Sequence, residues 1–189
     1  MTSPMQPATA VPAADPINDA KAGDVYRLGH RWLIKGPIDV VFDVISDVRE
    51  QPTWWSVVKS VESDAIELGV GAHARLRILA QLPYTITWDV TVSEIDRPRF
   101  LETDTTLSLS GRFPMRGPVR YTLTEVPDGV EVVNEVVICS ERRLPRALHA
   151  LTQRAFAYNH AWSAKRGGPG LQRAVDGIVA ARTASATVA

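Results

Sequence analysis

Cysteine is almost missing from this chain: Cys139 stands alone, so no intramolecular disulfide can form, and no CxxC or Cys/His spacing offers a zinc site. A reducing compartment is expected. Net charge is missing too. The 21 basic residues balance 21 acidic ones, which removes bulk charge as a means of holding nucleic acid. No apolar run approaches the ~20 residues needed to span a bilayer. The start lacks the basic-then-apolar order of a signal peptide, so the expectation is a cytoplasmic protein without a transmembrane segment. Internal repeats are absent, as are GxSxG, HExxH and paired dinucleotide fingerprints. The glycine-rich stretch from Gly167 to Gly170 lacks both the GK[ST] ending and the preceding strand of a phosphate loop; it reads as a hinge or kink in a helix. No cofactor is expected, and oligomeric state is left open.

What is present is an ordinary globular balance, 45% hydrophobic against 22% charged over 189 residues, enough for one core. Residues 1–24 are rich in Pro and Ala and poor in large apolar groups, so burial cannot offset the entropy of ordering them. They read as a flexible tail, residues 25–182 as one domain, and residues 183–189 as a second tail.

Tyr26 to Lys35 has strand character and ends at Gly36 and Pro37, where proline suits the first turn of a helix. Ile38, Val41, Phe42 and Ile45 then recur at spacings of three and four, on one face of a short helix. Arg49 to Trp55 suggests another, with Pro52 in its first turn. From Val57, turn signals at 69–71, 82–83, 96–98, 111–118 and 128–129 punctuate six strands of an antiparallel meander. Alternation is cleanest where Ile86, Trp88, Val90 and Val92 share one face while Thr87, Asp89 and Thr91 share the other. Later inward rows carry Val119, Tyr121 and Leu123, then Val130, Val132, Asn134, Val136 and Ile138. Beyond Pro145 the period turns helical, with Leu148, Leu151, Ala155, Tyr158, Asn159 and Trp162 in one stripe. A strongly curved sheet must bury its concave face, and this last helix is the element available to cover it.

The order strand, two short helices, six strands, long helix is carried by specific segments. They are WLIKGPIDVVFDVISD from Trp32 to Asp47, PTWW from Pro52 to Trp55, the strand pair joined by Asp96, Arg97 and Pro98, and NHAW from Asn159 to Trp162. On these the chain resembles the SRPBCC branch of the START/Bet v superfamily, the polyketide cyclase/dehydrase and lipid-transport proteins, from Tyr26 to Val175. The resemblance implies an α+β helix-grip fold, a seven-stranded curved antiparallel sheet around a long C-terminal helix. It also implies a hydrophobic cavity between sheet and helix, lined here by Trp55, Val58, Trp88, Val90, Val92, Tyr121, Asn134, Ala155 and Asn159. Aromatase/cyclase members place a serine and an arginine on the inward row where this chain has Val90 and Val92. Valine cannot do general acid/base work, which counts against that chemistry.

Asn134 and Asn159 are the candidate ligand-orienting groups, because an amide facing an apolar cavity needs a partner; equally, they can satisfy each other, backbone or trapped water. Tyr121 is a phenolic donor or plain core. The histidines argue against metal: His149 and His160 are about 16 Å apart along a helix axis at 1.5 Å per residue, and His30 and His73 fall on separate strands. Cys139 reads as a small buried hydrophobe rather than a nucleophile. GRFPMRGPVR, with Arg112, Arg116 and Arg120 around Phe113 and Met115, is either a lid over the cavity or membrane contact, or a solvated edge loop. The leading expectation is binding or transport of a hydrophobic small molecule such as a lipid, polyketide or aromatic metabolite. The alternatives are a polyketide cyclase or dehydratase, and a protein-interaction module on the same fold.

Overall fold

The computed structural model describes residues 25–63, 68–81, 84–140 and 145–188. Strand β1 (Val25–Ile34) turns Tyr26, Trp32 and Ile34 inward and Arg27 and Arg31 outward, the period of two that its sequence dictates. Gly36, at φ +144°, makes the turn, and Pro37 caps helix α1 (Ile38–Ser46), accepting from the Val41 amide at 3.1 Å. The apolar face of α1 is buried at Val41, Phe42 and Ile45. The Asp47 carboxylate accepts from the Arg49 amide and starts a 3-10 turn, Val48–Glu50, that runs into the short helix α2 (Gln51–Trp54).

Six further strands follow: β2 (Val58–Ser63), β3 (His73–Leu79), β4 (Thr85–Asp96), β5 (Phe100–Leu109), β6 (Arg112–Val126) and β7 (Gly129–Ser140). All neighbours are antiparallel, in the order β1-β7-β6-β5-β4-β3-β2. Register places His30 opposite Asn134, Asn134 opposite Tyr121, and Tyr121 opposite Leu101, so one row crosses the concave face from edge strand to centre. Helix α3 (Arg146–Val188) packs against β1, α1 and α2, completing the helix-grip architecture expected from the sequence. It continues through residues 183–188, past the point where the sequence suggested a tail.

Three local expectations are corrected. The segment 111–118 is not a loop: Ser110 and Gly111 have φ of 49° and 71°, forming a tight hairpin turn, and β6 begins at Arg112. Gly117 lets β6 and β7 close, since a Cβ there would meet the Val137 carbonyl oxygen at 1.9 Å. The glycine-rich stretch does not interrupt α3, which is continuous across Pro169. Its glycines serve close approach: a Cβ at Gly167 would meet the Trp32 ring at 2.7 Å, and one at Gly170 the Trp54 carbonyl oxygen at 1.8 Å. The indoles of Trp32 and Trp55 donate to the carbonyls of Ala164 and Ser163, both at 3.0 Å, and hold the helix there.

The third correction follows from the second. Because α3 contacts the core through its small residues and through Leu171 and Val175, the stripe expected to face inward is largely turned out. Leu148, Leu151 and Tyr158 are exposed; only Asn159 of that stripe is fully buried.

Candidate functional site

A pocket of about 250 Å³ lies between the concave sheet and the α1–α2 segment. Its wall is built by the inward rows of three strands: Leu76 and Ile78 from β3, Trp88, Val90 and Val92 from β4, and Leu101 from β5. Val119 and Tyr121 of β6 continue it, and Trp55 closes it from the end of α2. The period-two alternation of β4 is thus what makes the wall apolar. Burial pushes the Tyr121 phenol up, so it stays protonated and can donate. The indole nitrogen of Trp88 is buried with no hydrogen-bond partner.

Polar groups gather at one end, where α1 and the following turn meet the start of β3 and the end of β4. Asp43, Asp47, Arg49, Gln51, His73 and Arg97 line the pocket there. Asp43 and Arg97 form an ion pair, and the Arg97 guanidinium stands over the Phe42 ring at 5.2 Å. The side chain of Asp47 lies 3.7 Å from Arg49. None of these was expected at the pocket from the sequence, where His73 was weighed only as a metal ligand and Asp47 and Arg97 entered only through the resemblance. The acids and arginines read as ordinary solvated charge, and only the fold turns the end of α1 towards the mouth.

Of the residues expected at the site, Trp55, Trp88, Val90, Val92 and Tyr121 line this pocket together. The others lie away from its wall. Val58 is buried in the core at the start of β2. Asn134 is buried in β7 and donates to the Arg120 carbonyl at 3.3 Å. Asn159 accepts from the Gln81 amide at 2.9 Å, and Ala155 is partly buried on α3, which contributes nothing to the lining. The two asparagines therefore have backbone partners and do not bond each other.

The histidines are arranged differently from what spacing suggested. His30 Nδ1 and His160 Nε2 are 3.0 Å apart between β1 and α3. Burial, and then the neighbouring imidazole, lowers His30 to about 3; burial lowers His160 to about 4. Among the described residues no group of three or more His, Cys, Asp or Glu could hold a metal ion. Cys139 is a partly buried free thiol.

The curved seven-stranded sheet, the two short helices after β1 and the long C-terminal helix define a helix-grip protein of the SRPBCC superfamily. Within it, the chain belongs to the family described as polyketide cyclase / dehydrase and lipid transport, whose model matches residues 30–158. Similar solved structures include the ZhuI aromatase/cyclase from Streptomyces sp. R1128, with a TM-score of 0.61 and 15% identity over 84% of this chain and 96% of that one. A major latex-like protein 151 from Panax ginseng gives 0.53 and 12%, over 76% and 99%. An uncharacterized protein from Rhizobium leguminosarum gives 0.57 and 14%, over 82% and 97%. At these identities the likeness is one of fold. Among curated proteins none matches this sequence.

Proposed function

We propose that the protein binds, and carries, a hydrophobic small molecule such as a lipid, polyketide or aromatic metabolite in the pocket between the sheet and α1–α2. One observation carries this reading: the inner wall is apolar where Trp88, Val90 and Val92 stand, while the charged groups sit at the mouth. Apolar walls with a few placed polar groups are the usual build of a ligand pocket, and about 250 Å³ lies just below the roughly 300–1,000 Å³ usual for one, which favours a small ligand. Trp55, Trp88, Val90, Val92 and Tyr121 are the residues assigned to contact. The Tyr121 hydroxyl and the Trp88 indole offer donors to a ligand acceptor. Residues 25–182 constitute the binding domain, and the lone free thiol favours a reducing, cytoplasmic setting.

Turnover is the weaker reading. A cyclase must move protons at the bound chain; among the described residues of the inner wall the titratable side chain is Tyr121, made a poorer acid by burial, while Asp43, Asp47 and His73 stand at the mouth. Native mass spectrometry of the purified protein tests the proposal, before and after addition of medium-chain fatty acids and polycyclic aromatics. A one-to-one adduct is expected; repeated failure to find any would end the proposal.

A further inference from the structure

Helix α1 and the turn between β4 and β5 flank the charged end of the pocket. Asp43 stands in the second half of α1 and Arg97 in the turn, one residue past the end of β4, and both line the pocket. Their side chains form an ion pair, so a polar strap runs from helix to sheet at the mouth. The Arg97 guanidinium also lies over the Phe42 ring at 5.2 Å, which holds it against the helix. The body of α1 packs elsewhere, against α3, β6 and β7. Among the described residues the Asp43–Arg97 pair is the polar tie between α1 and this turn.

Both partners are wet, the Arg97 side chain 55% exposed and that of Asp43 42%. Such a pair contributes little to folding, because water competes for both ions and salt screens them. It can therefore break and remake while the fold stays intact. Asp39 and Arg182 form a pair of similar exposure between α1 and α3, and neither lines the pocket. The same helix thus carries one ion pair at the mouth and one away from it.

We infer that Asp43 and Arg97 form a latch across the pocket mouth, which narrows the way in when paired and opens it when broken. A latch that closes over an empty and an occupied pocket alike changes the rates of entry and exit together and the affinity little.

A thiol on the pocket wall reads access without any ligand, so the test stands apart from whether the pocket carries an apolar molecule. Val90→Cys in a Cys139→Ser background supplies that thiol, and its labelling rate with N-ethylmaleimide, small and uncharged, is measured. Asp43→Asn and Arg97→Gln should each speed labelling roughly two- to fivefold, the change that loss of a half-exposed ion pair permits. Salt near 1 M, where the screening length falls to about 3 Å, should speed the protein with the intact pair similarly and neither variant. Exchanging the two charges, Asp43→Arg with Arg97→Asp, should bring the rate back towards that of the intact pair. Asp39→Asn should leave it unchanged. The latch is overturned by single variants that label no faster, by an exchange no slower than the singles, or by Asp39→Asn labelling as fast as Asp43→Asn, which would show a general loosening of α1. Should the variants fold poorly, the salt series on the intact pair decides, and an unchanged rate there rejects the latch.

Discussion

Nδ1 of His30 on β1 is 3.0 Å from Nε2 of His160 on α3, and this contact joins the edge of the sheet to the helix that grips it. The pair packs beside Trp32, whose ring centroid is 4.2 Å from that of His30. Asn134 faces His30 across the strand register, and Asn159 precedes His160 on the helix; neither carries a charge that could stabilise an imidazolium. Both rings are accordingly held neutral.

Folding stability should therefore fall in mild acid. With folded values of about 3 and about 4 against 6.5 for the free side chain, the unfolded chain takes up protons first as pH drops. The stability is present in full above pH 6.5 and drains between there and the folded values, each imidazole withdrawing roughly 1–2 kcal/mol by pH 5. Urea denaturation at pH 7.5 and 5 reads this directly. A double variant, His30→Gln with His160→Gln, should show much less difference between the two conditions; equal stability of the parent at both would refute the account.

Two glycines of α3 should respond in opposite directions to alanine. Gly170→Ala drives a Cβ to 1.8 Å from the Trp54 carbonyl oxygen, and separating helix from α2 should cost at least about 2 kcal/mol. Gly177 is exposed with nothing within 4 Å of a built Cβ, so Gly177→Ala should gain about 0.5–1 kcal/mol from helix propensity alone. Thermal melts of the two variants give the comparison, and a stabilised Gly170→Ala protein would contradict the packing.

These glycines also mark where the sequence stops being informative. Periodicity is a local property, and it located every strand, both short helices and the pocket wall of β4, because neighbours in the chain alone decide which residues share a face. It also found a true apolar stripe on α3 at Leu148, Leu151 and Tyr158. What covers a stripe is decided by shape between distant elements, and the tryptophans at 32, 54 and 55 select the small-residue face instead. The same limit hid the His30–His160 contact, made across 130 positions of chain, and the cluster of Asp43, Asp47 and Arg97 at the pocket mouth. Gly111 was legible as a turn, but the length of strand after it was not, since Gly117 and Pro118 read locally as breakers and act here as a close interstrand contact.

On the outer face of the sheet, the Glu102 side chain is 9% exposed and is ion-paired with Arg120 of the adjacent strand, while the Ser93 hydroxyl donates to it at 3.4 Å. Removing the cation leaves a buried carboxylate short of a partner, so Arg120→Met should cost roughly 1–3 kcal/mol. Glu102→Gln keeps a polar group of similar shape and should cost less. Denaturant midpoints of the two variants decide the order, and the reverse order would show that the arginine is not what supports the carboxylate.

The central claim, an apolar ligand held against Trp88, Val90 and Val92, is tested most directly by titrating an apolar fluorescent probe such as N-phenyl-1-naphthylamine into the parent protein and into Val90→Phe. Val90 borders the empty volume, so the larger ring has room and the denaturation midpoint should stay close to the parent's. Saturable one-to-one binding that weakens at least tenfold in Val90→Phe is the predicted result; equal affinity in both proteins, or no saturable binding in the parent, would contradict it.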